Sequence, residues 1–427
     1  MPDLTSDLLP ALLAHRLPGL DLGEGSVYPN YDGHSLLNIP SSLCSWLGVP
    51  EFGAGPLREE SLEPLARGAR RILLILMDAL GLRSFQRWLE AGSLPIWQHL
   101  IQDGSLVPLT SIIPSTTSTA LTSLWTGRSA TEHAIAGYEL WLKEYGLVAN
   151  MILHAPMSFR EDVGSLTKAG FQPETFLPFP TLGSHLTAHG VKAYAFQHYT
   201  IARSGLSQML LKDVEIEGFA SSTDLWINLR ELINSRPNEK QFIWVYWSEV
   251  DHYSHRYGPI DERTSAELTT FSQTFERLLF KDLDRQVRRD TLVLLVADHG
   301  QIHTPKNPHH DIRNHPGLVR RLHMLPTGEN RLMYLFPKPN QSEEVRDYFN
   351  RSWPRQFTLM NSAEVIRLGF LGPGQPSPRL ADRLGDLVAF GQGASYLWWG
   401  NKENPLLGRH GGLSAEEMLV PLAVVRL

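Results

Sequence analysis

Short unbroken apolar runs alternate along this chain with longer stretches in which apolar residues recur at helical spacing. Arg71–Met77, Gln241–Trp247 and residues 291–297 are each apolar at nearly every position after the first. A strand with one wet face alternates, so these runs predict strands buried on both faces. Residues 107–113, residues 192–196 and the apolar run after Glu417 predict three further strands. Residues 182–191, 222–234 and 265–283 carry apolar positions on one helical face. Strands separated by helices predict a mostly parallel sheet covered on both sides, hence an α/β chain built as a three-layer α/β/α sandwich.

Two regions fall outside this rhythm. Residues 1–66 are rich in Pro, Gly and Leu without a sustained period, and read as an N-terminal arm packed on the core. The core then comprises residues 67–300 and 406–427. Between them, residues 301–405 read as a small inserted cap or lid. Residues 305–311, 338–347 and 371–378 carry loop chemistry there, and 331–336 and 395–399 are short strand candidates. Residues 138–151 read as sheet or loop.

Composition narrows the function. With 39 Lys+Arg against 45 Asp+Glu in 427 residues, and no basic block, the chain has no groove for a nucleic-acid polymer. Any affinity for phosphate must be local. The single cysteine, Cys44, excludes an internal disulfide and every multi-cysteine metal site. No apolar run reaches membrane-spanning length and the first residues carry two acids and no basic segment, so the expectation is a cytoplasmic protein without a membrane partner.

Candidate chemistry sits where the apolar runs stop. The first strand ends at Asp78, and the run 291–297 ends at Asp298-His299-Gly300. After Trp247, Asp251 and His255 stand four residues apart, on one side of a helical turn, where both can reach one cation. His252, the neighbour of Asp251, points elsewhere. Near the C-terminus His410 lies between glycines in Gly408-Arg409-His410-Gly411-Gly412, followed by a capping box of Ser414 and Glu417. Singly, each has an ordinary reading as a cap or a loop hydrogen bond. Together, three acids and three imidazoles form a ligand set suited to two zinc ions, or to manganese in a more open site. Residues 114–127, dense in Ser and Thr, read as the start of a helix whose amides and dipole favour an anion. Thr116, Thr117 and Thr119 are all placed to present a hydroxyl there. Hydroxyl, acids and imidazoles together are what metal-assisted phosphoryl transfer requires.

The order strand-Asp, Thr-bearing turn ending in Thr126-Gly127, Asp251-x-x-x-His255, Asp298-His299-Gly300 and a final His410 in a Gly-rich turn resembles the alkaline phosphatase superfamily, within it the type I phosphodiesterase and nucleotide pyrophosphatase branch. The likeness spans residue 70 to the C-terminus, more loosely in the cap. It implies that Thr117, nine residues before Thr126, is the nucleophile. It further implies one divalent ion held by Asp78, Thr117, Asp298 and His299 and a second held by Asp251, His255 and His410. The chemistry implied is cleavage of a phosphodiester or pyrophosphate bond in a small-molecule phosphate ester such as a nucleotide, through a phospho-threonine.

Two positions depart from the branch. Ala120 stands where it places an Asn to bind a phosphoryl oxygen; the backbone N–H groups of Thr117 and Ser118, or the Tyr138 hydroxyl, are the substitutes. Ala134 stands where it has Gly, implying an altered loop. The sulfatase relatives need a modifiable residue followed by Pro and Arg, which Leu43-Cys44-Ser45-Trp46 does not supply. Phosphomonoesterases of the superfamily carry Asp before the nucleophile, where Thr116 stands here. The alternatives are a phosphomonoesterase or phosphonate-bond hydrolase on the same core, or a metal-binding protein without turnover. Natural substrate and oligomeric state are not encoded in these motifs.

Overall fold

The computed structural model describes residues 3–158 and 163–427; Met1 and Pro2 of the expected arm lie outside the described residues. Seven strands form the main sheet: β1 (Arg71–Met77), β2 (Ser105–Thr110), β3 (Lys192–His198), β4 (Glu215–Phe219), β5 (Gln241–Trp247), β6 (Thr291–Val296) and β7 (Leu419–Arg426). Their order is β2-β7-β6-β1-β5-β3-β4. Pairings from β6 through β4 are parallel, and β7 alone runs against both of its neighbours. The unbroken apolar runs β1, β5 and β6 lie side by side in the middle and are buried at every position.

Helices cover both faces, and the alternation along β5 shows which side chains meet them. Phe242 and Trp244 meet Trp125 of the helix Thr117–Thr126 on one face. Trp247 meets Phe271 of the helix Glu262–Phe275 on the other. Trp247 stands at an odd offset in sequence from both Phe242 and Trp244, as opposite faces of a two-residue period demand. The architecture is therefore the expected three-layer α/β sandwich. β4 was not anticipated, because an exposed edge strand rich in Glu carries no apolar run.

A second seven-stranded sheet, antiparallel throughout, covers one end of the first. Its order is Phe357–Asn361, Leu387–Gly391, Leu332–Leu335, Thr327–Gly328, Glu139–Leu142, Leu147–Asn150 and Ala155–Pro156. Residues 138–151 are thus a hairpin that joins strands nearly two hundred residues further along the chain. Two local expectations are corrected. Residues 395–399 form no strand, only a bridge from Trp398 to Asp311, because successive backbone N–H groups bond to different segments, Leu397 to the Asn330 carbonyl and Trp398 to the His310 carbonyl, and no one neighbour runs alongside. The expected loop 338–347 turns into the helix Ser342–Ser352, because Val345 and Phe349, four apart, bury one face in a separate cap core. The expected helix 265–283 is observed as Glu262–Phe275 followed by the wider turn Glu276–Phe280.

Candidate active site

Three neighbouring strands deliver the acids to one edge of the sheet. β1 ends at Asp78, β6 is followed by Asp298 and His299, and β5 leads into the helix Glu249–Tyr257 that carries Asp251 and His255. Ligands of open α/β sheets bind beyond such carboxyl ends. Thr117 arrives from β2, through a loop that places it at the first position of the helix Thr117–Thr126. That helix ends at Gly127, which adopts φ 61° and packs so tightly on Gly53 that a Cβ there would lie 2.8 Å from the Gly53 Cα. In Asp298-His299-Gly300, a Cβ on Gly300 would lie 2.0 Å from the Glu416 carbonyl oxygen. Both glycines of the motifs are required by close backbone approach.

The expected residues converge. Thr117 Oγ1 lies 3.2 Å from His299 Nε2 and 3.5 and 3.4 Å from the two oxygens of Asp78. Asp78, Asp298 and His299 bring one ligand atom each within 4.8 Å of one another, and so do Asp251, His299 and His410. His255 Nε2 lies 3.3 Å from Asp251 Oδ1, and His410 Nε2 3.9 Å from the same oxygen. The resemblance divides these residues into two sets; the geometry places the His299 ring beside both. His252 is exposed and belongs to neither group.

The imidazoles are set for ligation by what holds their other nitrogen. His255 Nδ1 lies 2.9 Å from the Gly408 carbonyl, His299 Nδ1 3.0 Å from the Gly300 carbonyl and His410 Nδ1 3.1 Å from the Ser115 carbonyl. A carbonyl only accepts, so each Nδ1 carries the proton and each Nε2 lone pair faces the cluster. Asp298 Oδ1 accepts from the backbone N–H of Ala79 at 3.1 Å and of His299 at 3.0 Å, while Oδ2 is buried without a hydrogen-bond partner. A fully buried carboxylate oxygen left bare is costly, and a cation satisfies it.

Electrostatics point the same way. Burial, then the neighbouring Asp298 and Asp251, push the Asp78 carboxyl well above its ordinary range. Burial also raises Asp298. Burial, then His299 and His255, hold His410 well below the usual imidazole range. Crowded acids beside an imidazole held neutral at His410 form a site that a divalent ion would stabilise.

Several residues around this cluster escaped the sequence reading. The buried Tyr246 hydroxyl donates to Asp78 Oδ2, and Gln301 Nε2 donates to Asp251 Oδ1 at 2.5 Å. Glu329, buried in the wall, accepts the Tyr138 N–H at 2.8 Å, and burial raises its carboxyl to about 8. Tyr246 looks like any aromatic of a core strand, and Gln301 and Glu329 carry no motif. Ser118, Thr119, Thr122 and Ser123 of the helix Thr117–Thr126 are all buried: Ser118 Oγ donates to the Gly137 carbonyl and Ser123 Oγ lies 3.1 Å from His133 Nε2.

The cluster opens into a cavity of about 1010 Å³ between the two sheets. Tyr138, Tyr257, Trp398 and Trp399 line it, whereas Tyr253 stacks behind Tyr257. The Tyr138 hydroxyl accepts from Asn150 Nδ2 at 2.5 Å. Ala120 is fully buried within its helix. The amides of Thr117 and Ser118 belong to the first helical turn, where N–H groups lack intrahelical acceptors. Among the described residues no helix is long and apolar enough to cross a membrane.

Residues 72–413 match the type I phosphodiesterase / nucleotide pyrophosphatase family, whose members are metal-dependent. No curated protein sequence matches the chain. Among solved structures, murine ectonucleotide pyrophosphatase/phosphodiesterase 5 is 17% identical with a TM-score of 0.61, over 82% of this chain and 87% of that one. The human counterpart is 14% identical with a TM-score of 0.62, over 82% and 87%. Phosphonoacetate hydrolase from Sinorhizobium meliloti, in complex with phosphonoformate, is 17% identical with a TM-score of 0.60, over 83% and 90%. These structures share the fold, and the match over most of the length shows that the chain belongs to the type I phosphodiesterase / nucleotide pyrophosphatase family of hydrolytic enzymes.

Proposed function

We propose that the chain is a two-metal phosphoric ester hydrolase that cleaves a phosphodiester or pyrophosphate bond in a small molecule, with Thr117 as nucleophile. The observation that carries this reading is the convergence of two three-ligand groups beside the Thr117 hydroxyl, with Asp298 Oδ2 buried and bare. Asp78, Thr117, Asp298 and His299 would hold one ion, zinc or manganese, and Asp251, His255 and His410 the other. Such ions lower the pKa of a hydroxyl and neutralise charge on phosphoryl oxygens. Thr117 Oγ1 attacks phosphorus and the alkoxide or phosphate leaving group departs from the far side. Water then cleaves the phospho-threonine, which still carries the retained substituent, releasing the phosphate monoester and restoring the hydroxyl. The first-turn amides of Thr117 and Ser118, with Tyr138, are the donors proposed for the phosphoryl oxygens in place of the Asn absent at Ala120.

Support for a threonine nucleophile and a nucleotide-like substrate comes from the murine relative, whose inactive threonine-to-alanine variant was solved in complex with AMP. In this reading residues 67–300 and 406–427 act as catalytic core, 301–405 as cap and 1–66 as arm. The buried single Cys44 suits the proposed cytoplasmic setting, which cell fractionation tests. Thr117→Ala, assayed on bis-p-nitrophenyl phosphate with zinc or manganese, should lose at least about a thousandfold in kcat, as removal of a nucleophile does. Equal turnover by variant and wild type would remove Thr117 from its role. The likeness to phosphonoacetate hydrolase supports a second reading, a phosphonate-bond hydrolase on the same core. Faster turnover of phosphonates or monoesters than of diesters would select it.

A further inference from the structure

We propose that a second, apolar pocket behind Thr117 receives a short alkyl group that stays on phosphorus, so that the preferred substrate carries one small apolar ester substituent. This rests on Thr117 being the nucleophile and names a substrate class for that site. The pocket, about 100 Å³ in volume, shares Thr117, Ile152, Tyr246 and Ser248 with the main cavity, so the two adjoin at the proposed nucleophile. Its floor is the nucleophile's own helix, because Thr117, Leu121 and Trp125 are spaced by four and share one face. Leu206 and Leu210 of the helix Gly205–Leu210 form the opposite wall, held in place by the Leu206 N–H bonded to the Ile152 carbonyl at 3.1 Å.

The polar groups in this wall are occupied with one another. Ser207 Oγ donates to Gln197 Oε1 at 2.8 Å, and Ser204 Oγ lies 3.0 Å from Ser207 Oγ while accepting the Ser207 N–H at 3.2 Å. What remains for an occupant is mostly apolar surface, and apolar cavities of similar size stay dry and take small apolar ligands. At roughly 30 Å³ per carbon, about the share of a water molecule, the volume holds three to four carbons. In-line displacement expels the leaving group on the side opposite the attacking oxygen. A pocket walled by the nucleophile's helix therefore serves the substituent that is retained.

The test is a series of n-alkyl p-nitrophenyl phosphates, methyl to hexyl, with one leaving group and the zinc-loaded protein. Heats of binding of the matching n-alkylphosphonates are measured in parallel. From methyl to butyl, kcat/KM and phosphonate affinity should each rise about threefold per carbon and then level off, as burial of successive methylenes predicts. Ile201→Phe, which adds bulk to the pocket lining, should bring the butyl-to-methyl ratio close to one, and Leu206→Ala should move the plateau to longer chains. Turnover with no chain-length dependence overturns the pocket and leaves the hydrolase reading standing. Chain-length-dependent phosphonate binding without turnover upholds the pocket and sinks the hydrolase reading. Phosphonate affinity independent of chain length, or no binding, overturns the pocket.

Discussion

Ala134 shows how much one Cβ can cost in a left-handed turn. It caps the short helix Ala130–His133 at φ 55°, the left-handed conformation that Gly adopts freely. Where an altered loop was expected from Ala in place of Gly, the turn carries a Cβ in a conformation that costs it strain. Ala134→Gly should raise stability by about 1 kcal/mol, the usual penalty of a Cβ in that region, read as an upward shift in the denaturation midpoint. Its neighbour His133 is fully buried, accepts the Ile135 N–H on Nδ1 at 2.9 Å, and is held down to about 3 by burial and then by Arg383. Because the folded pKa lies below the unfolded value, the unfolded chain binds the extra proton between pH 6.5 and 3, and stability is lost as pH falls through that window. Comparison with His133→Gln isolates this group from others that titrate nearby. From pH 7 to pH 5 the variant should gain about 2 kcal/mol relative to wild type, and parallel stability curves would refute the assignment. At this scale Asp78 and Asp298 were legible in the chain, as the first polar residues after unbroken apolar runs. Tyr246 and Gln301 were not, because a single hydrogen bond to a carboxylate leaves no pattern in sequence.

Elements depend on partners that local pattern does not reveal. The capping box of Ser414 and Glu417 was visible as a turn signature and is present. The same Glu417 also meets Arg331 in a two-pronged ion pair, both contacts 2.7 Å, with both side chains buried. Arg331 adds a bond to the Ser395 carbonyl at 2.6 Å, and Glu417 accepts the Gly412 N–H at 2.8 Å. This pair ties the second sheet to the turn that presents His410. Arg331→Met should destabilise the protein by about 3–5 kcal/mol, because it leaves a buried carboxylate without its cation. Glu417→Gln with Arg331→Met should recover part of that loss, as double-mutant denaturation curves would show. The helix Ser342–Ser352 teaches the complementary lesson. Its polar first turn reads as loop, and only burial of Val345 and Phe349 in the cap core makes it a helix.

For the whole molecule, the gathered carboxylates would couple folding to the binding of a divalent ion. Asp78, Asp251 and Asp298 repel one another in a buried setting, so an ion that binds only the folded chain adds stability by mass action. Zinc at a thousand times its Kd should add about 4 kcal/mol, and a chelator should lower the melting temperature and abolish turnover together. A melting temperature indifferent to chelation would separate the cluster from metal. The sequence by itself determined the buried strands of a mostly parallel sheet and the acids and imidazoles that follow them. Those features arise from continuous apolar runs and from residues next to them in the chain. Tertiary structure alone decided that the hairpin Glu139–Asn150 would pair with Thr327–Gly328. It alone decided that the His299 ring would stand beside both ligand groups and that an apolar pocket would open behind Thr117. Each depends on the packing of segments far apart in the chain, and the free energy of such packing is written in no one of them.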